Sequence, residues 1–113
     1  GMGGVGKAAA RRARGFGMRI LYHDPRRLQE AEEQDLGLTW VTLDDLLAQA
    51  DFVSLHARLT PETRHLLGDR EFGLMKSTAY LINTARGPIV DEQALVRALA
   101  AGRIAGAGLD VYE

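Results

Sequence analysis

The amino-acid sequence predicts an α/β domain built on a doubly wound parallel sheet, and three observations lead to that prediction. Short apolar segments alternate with helical segments about five times along the chain, which is typical of βαβ units. No Asn-Gly or Asp-Gly hairpin signal interrupts the alternation, so parallel pairing is favoured, with helices on both faces of the sheet. A length of 113 residues with 46% hydrophobic composition suits a single domain with one modest core.

The first half of the chain is predicted to hold three helices and two strands. Alanines and arginines after a glycine-rich turn favour a helix, which glycines at positions 15 and 17 end. A proline, and later a threonine followed three residues on by an aspartate, mark the starts of the next two helices. In order, the elements are the helix Lys7–Arg14, the strand Met18–Tyr22, the helix Pro25–Gln34, the strand Leu38–Val41 and a helix capped by Thr42 with Asp45, whose buried face is Leu43, Leu46 and Leu47.

The second half repeats the alternation. The segment AYLIN is apolar almost throughout, as in a strand buried on both faces of a sheet. An aspartate caps the last helix, and a glycine ends it. In order, the elements are the strand Phe52–Leu55, two short helices starting at Thr60-Pro61 and at Asp69, the strand Ala79–Asn83, a helix capped by Asp91 with an inner face of Ala94, Leu95, Ala98 and Leu99 and ended by Gly102, and the strand Ile104–Leu109.

Composition and charge argue against several classes of function. The net charge is −1, with 14 basic and 15 acidic residues spread along the chain, so no basic field is present for nucleic acid or an anionic membrane. No apolar run approaches the roughly 18 residues of a spanning helix. Cysteine is absent, and His23, His56 and His65 show no ligand spacing, so we expect no metal site. A cytoplasmic protein is the default expectation.

Gly1, Gly3 and Gly6 form a G-x-G-x-x-G turn at the start of the first helix. In such a turn the first glycine permits the bend, the second allows close approach of a pyrophosphate, and the third permits helix–strand packing. The free N–H groups near Gly4 and Val5 would then face the anion. The motif is weak alone, since an ordinary glycine turn explains it equally well.

Asp24 strengthens the dinucleotide interpretation. It lies 18 residues after Gly6, at the end of a predicted strand, close to the roughly 20-residue offset of the acid that binds the adenosine ribose. The alternative is a turn residue before Pro25, and the two are compatible. The pattern predicts a Rossmann-type fold. Because a strand normally precedes such a motif, we expect residues 1–113 to be a partial dinucleotide-binding domain, lacking its first strand and truncated at both ends.

Four predicted strands end in polar or reactive residues. They are Asp24, His56, the run Thr84-Ala85-Arg86, and Asp110. In open parallel sheets, ligands bind outside the carboxyl ends of the strands. We therefore expect all four endings to line one crevice.

Three segments, in order, give the chain a resemblance to the coenzyme-binding domain of the D-isomer-specific 2-hydroxyacid dehydrogenases. They are Val53–Thr63 (VSLHARLTPET), Ile82–Asp91 (INTARGPIVD) and Ala105–Glu113 (AGAGLDVYE). The resemblance covers nearly the whole chain. The residues of the three segments are most similar to those of glyoxylate and hydroxypyruvate reductases.

The resemblance implies a reaction that transfers a hydride between NAD(H) and a small 2-oxo or 2-hydroxy acid. It also implies a homodimer. Arg86 would be the catalytic residue, holding the substrate carboxylate and polarising the carbonyl. The alternative, which stays open at this point, is that Arg86 is structural and only pairs with an acid such as Asp91 or Asp110. The cofactor contacts implied are the backbone at Gly4 and Val5 for the pyrophosphate, Asp24 for the ribose, the Ala57 backbone, Thr84 and Ala85 under the nicotinamide, and Asp110 at the carboxamide.

The sequence also departs from the family pattern. Arg58 replaces the usual proline of the first segment. The general-acid His and the Glu that holds it are expected beyond Glu113, together with a separate substrate domain. Arg26 and Arg27 follow the ribose acid and could tolerate a 2′-phosphate. His23 and His65 are expected to be solvated. A non-catalytic, NAD-sensing relative resembling a corepressor is the alternative function, and residues 1–113 alone do not separate the two.

Overall fold

A computed structural model describes all residues from Gly1 to Glu113 as alternating helices and parallel strands. The helices are α1 Gly4–Gly15, α2 Glu30–Leu36, α3 Leu43–Gln49, α4 Asp69–Leu74 and α5 Glu92–Ala100, with a 3-10 turn at Gly87–Ile89. The strands are β1 Ile20–Tyr22, β2 Leu38–Trp40, β3 Phe52–Leu55, β4 Tyr80–Asn83 and β5 Gly106–Leu109. No helix is long and apolar enough to span a bilayer.

The strands form two parallel sheets, β1-β2 and β3-β4-β5. In the larger sheet Phe52 pairs with Tyr80, and Tyr80 pairs with Gly106. The glycine turn lies between the carboxyl ends of β1 and β3: the Gly1 amino group donates to the His23 carbonyl at 3.1 Å, and the Gly1 Cα packs on the His56–Ala57 backbone. The predicted Rossmann-type arrangement of parallel strands and flanking helices is confirmed.

The core divides as the sheets do. Helices α3, α4 and α5 cover one face of β3-β4-β5 and share with it a cluster of 14 buried residues that includes Leu47, Phe72 and Leu81. A smaller cluster of five buried residues joins α1 and α2 to β1-β2. The larger cluster is the rigid support for the loops that follow β3 and β4.

Two of the predicted helix caps are confirmed in detail. The Thr42 side chain accepts the Asp45 N–H at 3.2 Å, and the Asp91 side chain accepts the Ala94 N–H at 3.2 Å. Each bond satisfies one of the free donors of a first helical turn.

The prediction of a helix from Pro25 is wrong, because α2 begins only at Glu30. The Asp24 carboxylate accepts the Arg26 N–H at 2.9 Å, which closes a turn, and the Tyr22 hydroxyl accepts the Leu28 N–H at 2.9 Å. These bonds hold the backbone between Asp24 and Leu28 outside a helix.

The predicted helix at Thr60-Pro61 is also wrong, since residues 61–65 form only turns. Thr60 and Thr63 exchange side chain–backbone hydrogen bonds, and the Thr63 hydroxyl also donates to the Arg58 carbonyl at 2.6 Å. His65 then takes a left-handed conformation with φ of 52°, which ends any helical path.

The prediction that β4 is buried on both faces is wrong at Tyr80, which is 44% exposed. Its ring stacks on the exposed Phe52 ring, with centroids 5.7 Å apart, on the face away from α3–α5. Leu99, predicted on the inner face of α5, is 39% exposed because it lies at the edge of the stripe formed by Ala94, Leu95 and Ala98. Strands β1, β2, β4 and β5 are one or two residues shorter than predicted.

Candidate functional site

The first turn of α1 offers free backbone donors. The first bond of the helix runs from the Lys7 N–H to the Gly3 carbonyl at 2.9 Å, so the N–H groups of Gly4, Val5 and Gly6 have no partner within the helix. No side chain caps this end, and no acidic residue lies in the first turn. Such a helix terminus attracts an anion through its N–H groups and its dipole.

The glycines of this turn fall into two pairs. A Cβ at Gly1 would meet the His56 carbonyl at 2.7 Å, and one at Gly6 would meet the Gly1 carbonyl at 2.5 Å, so both positions are fixed by the protein's own packing. A Cβ at Gly3 or Gly4 would meet nothing within 4 Å. The outer surface of the turn is therefore open for close approach by another molecule.

Asp24 lies beside this turn, at the end of β1. Its carboxylate accepts the Met2 N–H and the Arg26 N–H, each at 2.9 Å. Partial burial acts to raise the pKa of Asp24, but these backbone hydrogen bonds outweigh it and hold the pKa below its ordinary value. The carboxylate is thus ionised at neutral pH, and each oxygen retains a free lone pair for a hydroxyl donor.

The Trp40 side chain is bonded to the backbone of Asp24. Its indole Nε1 donates to the Asp24 carbonyl at 3.1 Å. The His23 ring lies 5.6 Å from the indole, and the Arg27 guanidinium lies over it at 5.6 Å. His23 also bonds the Val41 carbonyl at 3.0 Å, so the expectation that His23 is simply solvated is wrong.

A cleft of about 220 Å³ opens where the loops after β3 and β4 meet the start of α1. It brings together several predicted residues from distant parts of the sequence. Its lining consists of Val5, His56, Ala57, Arg58, Leu59, Thr84, Ala85 and Arg86. A larger cavity of about 370 Å³ between α4 and α5 lies elsewhere and holds none of these residues.

Asn83 shapes the loop that carries Thr84, Ala85 and Arg86. Its side chain is 1% exposed, accepts the Ala85 N–H at 3.0 Å and donates to the Arg86 carbonyl at 3.0 Å. Because one buried carboxamide bonds both sides of the loop, the backbone that presents Arg86 is held in one conformation.

Arg86 projects from this loop with an exposed guanidinium. Its one hydrogen bond joins Nη1 to the Ala85 carbonyl at 2.6 Å. It forms no ion pair with Asp91 or Asp110, so the structural alternative for Arg86 is wrong. The remaining N–H donors of the fork are free for a planar anion.

His56 occupies the end of β3, between the glycine turn and the cleft. Its Nε2 bonds the Ser54 hydroxyl at 2.8 Å, while Nδ1 is buried without a partner. Burial lowers the pKa of His56, which keeps the ring neutral at physiological pH.

The segment after β5 is held against the β4 loop by a polar clamp. Tyr112 and Glu113 cross directly over Gly87, where a Cβ would collide with the Tyr112 carbonyl group. The Glu113 carboxylate bonds His65 Nε2 at 2.8 Å and Arg64 at 3.2 Å. His65 is exposed, as expected, and its ring also anchors this segment.

The expected crevice of four strand ends is only partly formed. Two of them, His56 and the run from Thr84 to Arg86, line the cleft with Ala57 and Val5. Asp24 lies on the other side of the glycine turn, joined to it through Met2. Asp110 is exposed at the end of β5, where its backbone N–H bonds the Asn83 carbonyl at 3.0 Å, and it does not line the cleft.

Two groups that support the site are not among the residues predicted from the sequence. The first is Asn83, for which a signal existed, since a polar residue closing an otherwise apolar run indicates a buried hydrogen-bonding role. The pairing of His65 with Glu113 joins residues 48 positions apart and left no local signal.

Comparison with known proteins agrees with this geometry. The family model of the D-isomer specific 2-hydroxyacid dehydrogenase NAD binding domain matches residues 1–113. A glyoxylate reductase of Korarchaeum cryptofilum is 57% identical over the whole chain, and one of Thermococcus litoralis is 53% identical. The chain spans about a third of the length of these curated relatives, 34% of each.

Solved structures give the same result. A glyoxylate reductase from Paecilomyes thermophila is 50% identical with a TM-score of 0.93, and this chain covers 34% of it. A D-lactate dehydrogenase from Aquifex aeolicus, complexed with NAD and lactic acid, is 41% identical with a TM-score of 0.94, and the chain covers 33% of it. Both matches include all of residues 1–113. The chain belongs to the D-isomer specific 2-hydroxyacid dehydrogenase family, as its NAD binding domain.

Proposed function

We propose that the protein is an NAD-dependent oxidoreductase that interconverts small 2-oxo and 2-hydroxy acids, with glyoxylate and hydroxypyruvate as substrates. The observation that supports this most directly is the unpaired Arg86 guanidinium, held at a strand end in the cleft that the glycine turn also borders. A fixed cationic fork beside a dinucleotide-binding turn suits a small carboxylate substrate.

The residues present fit NAD. The open surface at Gly3 and Gly4 and the free N–H groups at Gly4 and Val5 suit a pyrophosphate, and the ionised Asp24 suits two ribose hydroxyls. Ala57, Thr84 and Ala85 line the cleft and would adjoin the nicotinamide end. The family resemblance implies Asp110 for its carboxamide, from the end of the neighbouring strand β5 and outside the cleft lining. The nicotinamide supplies or accepts the hydride when it is bound.

Arg86 performs two tasks in this proposal. Its planar fork orients the substrate by binding the carboxylate, and one N–H lies toward the adjacent ketone oxygen, where negative charge develops as hydride arrives. The Asn83 bonds hold the loop in place, so little reorganisation is needed during the reaction.

Proton transfer is assigned to groups beyond residues 1–113. The new alkoxide needs a proton, and a guanidinium, which keeps its protons in proteins, does not supply it. The family resemblance implies a general-acid His held by a Glu that follows Glu113. We give Glu113 itself no such role, because its carboxylate is bonded to His65 and Arg64.

A non-catalytic NAD-sensing function is the second candidate, since it would also retain the glycines, Asp24 and Arg86. The relatives named above are reductases and dehydrogenases, which favours the enzyme.

Substitution of Arg86 in the intact protein tests the proposal. In Arg86→Lys we expect kcat/KM for glyoxylate and hydroxypyruvate to fall by about 100-fold or more, because an ammonium keeps the charge but not the fork. NADH affinity, measured by calorimetry, should stay within about twofold. Arg11→Lys, on the exposed face of α1, is the matched control and should change neither quantity. Near wild-type turnover by Arg86→Lys would contradict the catalytic role.

We also infer a homodimer from the family resemblance. Sedimentation velocity of the intact protein at micromolar concentration tests this, and a monomer at all concentrations would contradict it.

A further inference from the structure

Arg27, in the loop after Asp24, joins a polar network with Tyr22 and Glu33 that the proposed reaction does not use. The Glu33 carboxylate, 5% exposed in α2, accepts a hydrogen bond from the Tyr22 hydroxyl and two from Arg27, from Nε and Nη2, each at 3.1 Å. The Tyr22 hydroxyl accepts the Leu28 N–H at 2.9 Å. Tyr22 and Glu33 are buried, the Arg27 side chain is exposed, and both side-chain bonds of the Arg27 guanidinium are to Glu33.

The position of Arg27 makes this network relevant to the cofactor. Its guanidinium lies over the Trp40 ring, and the indole N–H of Trp40 is bonded to the Asp24 carbonyl. Arg27 is therefore linked through Trp40 to the backbone of Asp24, the residue proposed to bind the adenosine ribose, and follows it by three positions in the sequence. An arginine there is the residue type that would bind a ribose 2′-phosphate, bidentately and with opposite charge.

The ion pair with Glu33 keeps that arginine occupied. A bidentate Arg–carboxylate pair with one buried partner is held more firmly than an exposed pair, because the buried carboxylate would lose its charge compensation if the arginine left. The Arg27 hydrogen bonds lower the pKa of Glu33, so this carboxylate is ionised throughout the neutral range.

We propose that Glu33 is a specificity-determining residue for the cofactor, because it holds the Arg27 guanidinium away from the place beside Asp24 that a 2′-phosphate would occupy. Asp24 disfavours the phosphate by repulsion, and Glu33 removes the cation that would offset that repulsion. Preference for NAD over NADP thus depends on an α2 residue that does not touch the cofactor. This inference rests on the proposed binding of a dinucleotide at Asp24.

Calorimetric binding of NAD⁺ and NADP⁺ to the intact protein tests the inference without any turnover. Glu33→Gln retains an acceptor for Tyr22 but removes the charge that holds Arg27. We expect NADP⁺ to bind about tenfold more tightly than to wild type. The released Arg27 then forms a charge-assisted contact with the 2′-phosphate that it does not form in the wild type. NAD⁺ affinity should stay within about threefold. The double variant Glu33→Gln/Arg27→Gln should lose the gain for NADP⁺.

Glu30→Gln is the matched control, since Glu30 is an exposed acid on the same helix whose side chain bonds only Gln34. It should leave the NADP⁺/NAD⁺ affinity ratio unchanged. An equal shift in Glu30→Gln, no shift in Glu33→Gln, or a gain that survives Arg27→Gln would overturn the inference.

A second pair of variants leaves buried Glu33 intact, in case its substitution prevents folding. In an Asp24→Asn background the repulsion is reduced while Glu33 still holds Arg27, so adding Arg27→Gln should not change NADP⁺ affinity. A loss of more than about threefold would show that Arg27 already reaches the phosphate, which overturns the inference. If wild type does not bind NAD⁺, the proposed function fails with it, whereas NAD⁺ binding with no Glu33 effect removes only the inference.

Discussion

Removal of the Asn83 side chain should affect both stability and the presentation of Arg86. In Asn83→Ala the Ala85 N–H loses its acceptor, which costs about 1–3 kcal/mol for a donor left unsatisfied in a partly buried loop. The Arg86 carbonyl keeps the Ile89 N–H at 3.3 Å, so loss of its second bond costs only about 0.5–1.5 kcal/mol. The two losses together predict destabilisation by about 1.5–4.5 kcal/mol.

Urea unfolding of the intact protein measures this effect. With a slope of about 2 kcal/mol per molar urea, the middle of the usual range, the midpoint should fall by about 1–2 M. Because the loop that carries Arg86 loses its fixed conformation, kcat/KM should fall while NADH affinity changes little. Destabilisation below about 0.5 kcal/mol would refute the argument that this carboxamide holds the loop.

Asn83→Asp is the matched variant, since it has the same shape. It keeps the acceptor for Ala85 but places an oxygen against the Arg86 carbonyl, so the side chain can bond there only when it is protonated. The pKa of Asp at position 83 is therefore raised in the folded state, and the stabilising bond is lost as the pH rises from about 4. The stability deficit relative to wild type should be large at pH 7 and should shrink toward pH 4. A deficit independent of pH would contradict this account.

Two further predictions concern the same region. Gly87→Ala should destabilise the protein by about 1–3 kcal/mol in urea unfolding, because the new Cβ collides with the Tyr112 backbone, whereas Gly15→Ala, where a Cβ meets nothing within 4 Å, should not. Burial lowers the pKa of His56 in the folded state, so the unfolded chain binds more protons and stability should fall as the pH drops below about 6.5. Thermal melts of His56→Gln should show a shallower fall over that range, and an identical slope would contradict the assignment.

Elements whose bounds are set by local interactions could be predicted from the sequence, and elements whose bounds depend on distant contacts could not. Strand β3 and the caps at Thr42 and Asp91 were predicted correctly, because apolar runs and capping residues act within a few positions. The start of α2 was predicted wrongly, because the Tyr22 hydroxyl reaches forward to the Leu28 N–H and prevents a helix there. Helix propensity is a property of single residues and does not include that contact.

The same distinction applies to the site. The positions of Ala57, Thr84, Ala85 and Arg86 in one cleft follow from their places at parallel strand ends, which the alternation of elements already specified. The polar clamp on the segment after β5 was not predictable, because it needs the left-handed turn at His65 and the crossing at Gly87.

Trp40 is the only tryptophan among these 113 residues, and its hydrogen bond to the Asp24 carbonyl has a spectroscopic consequence. Indole emission is sensitive to hydrogen bonding at Nε1 and to nearby charge, and here the carbonyl bonded to Nε1 belongs to the candidate ribose ligand. The indole also lies within 5.6 Å of both the His23 ring and the Arg27 guanidinium. The emission wavelength and quenching of Trp40 should therefore report on events at the adenosine end of the site, separately from those at Arg86.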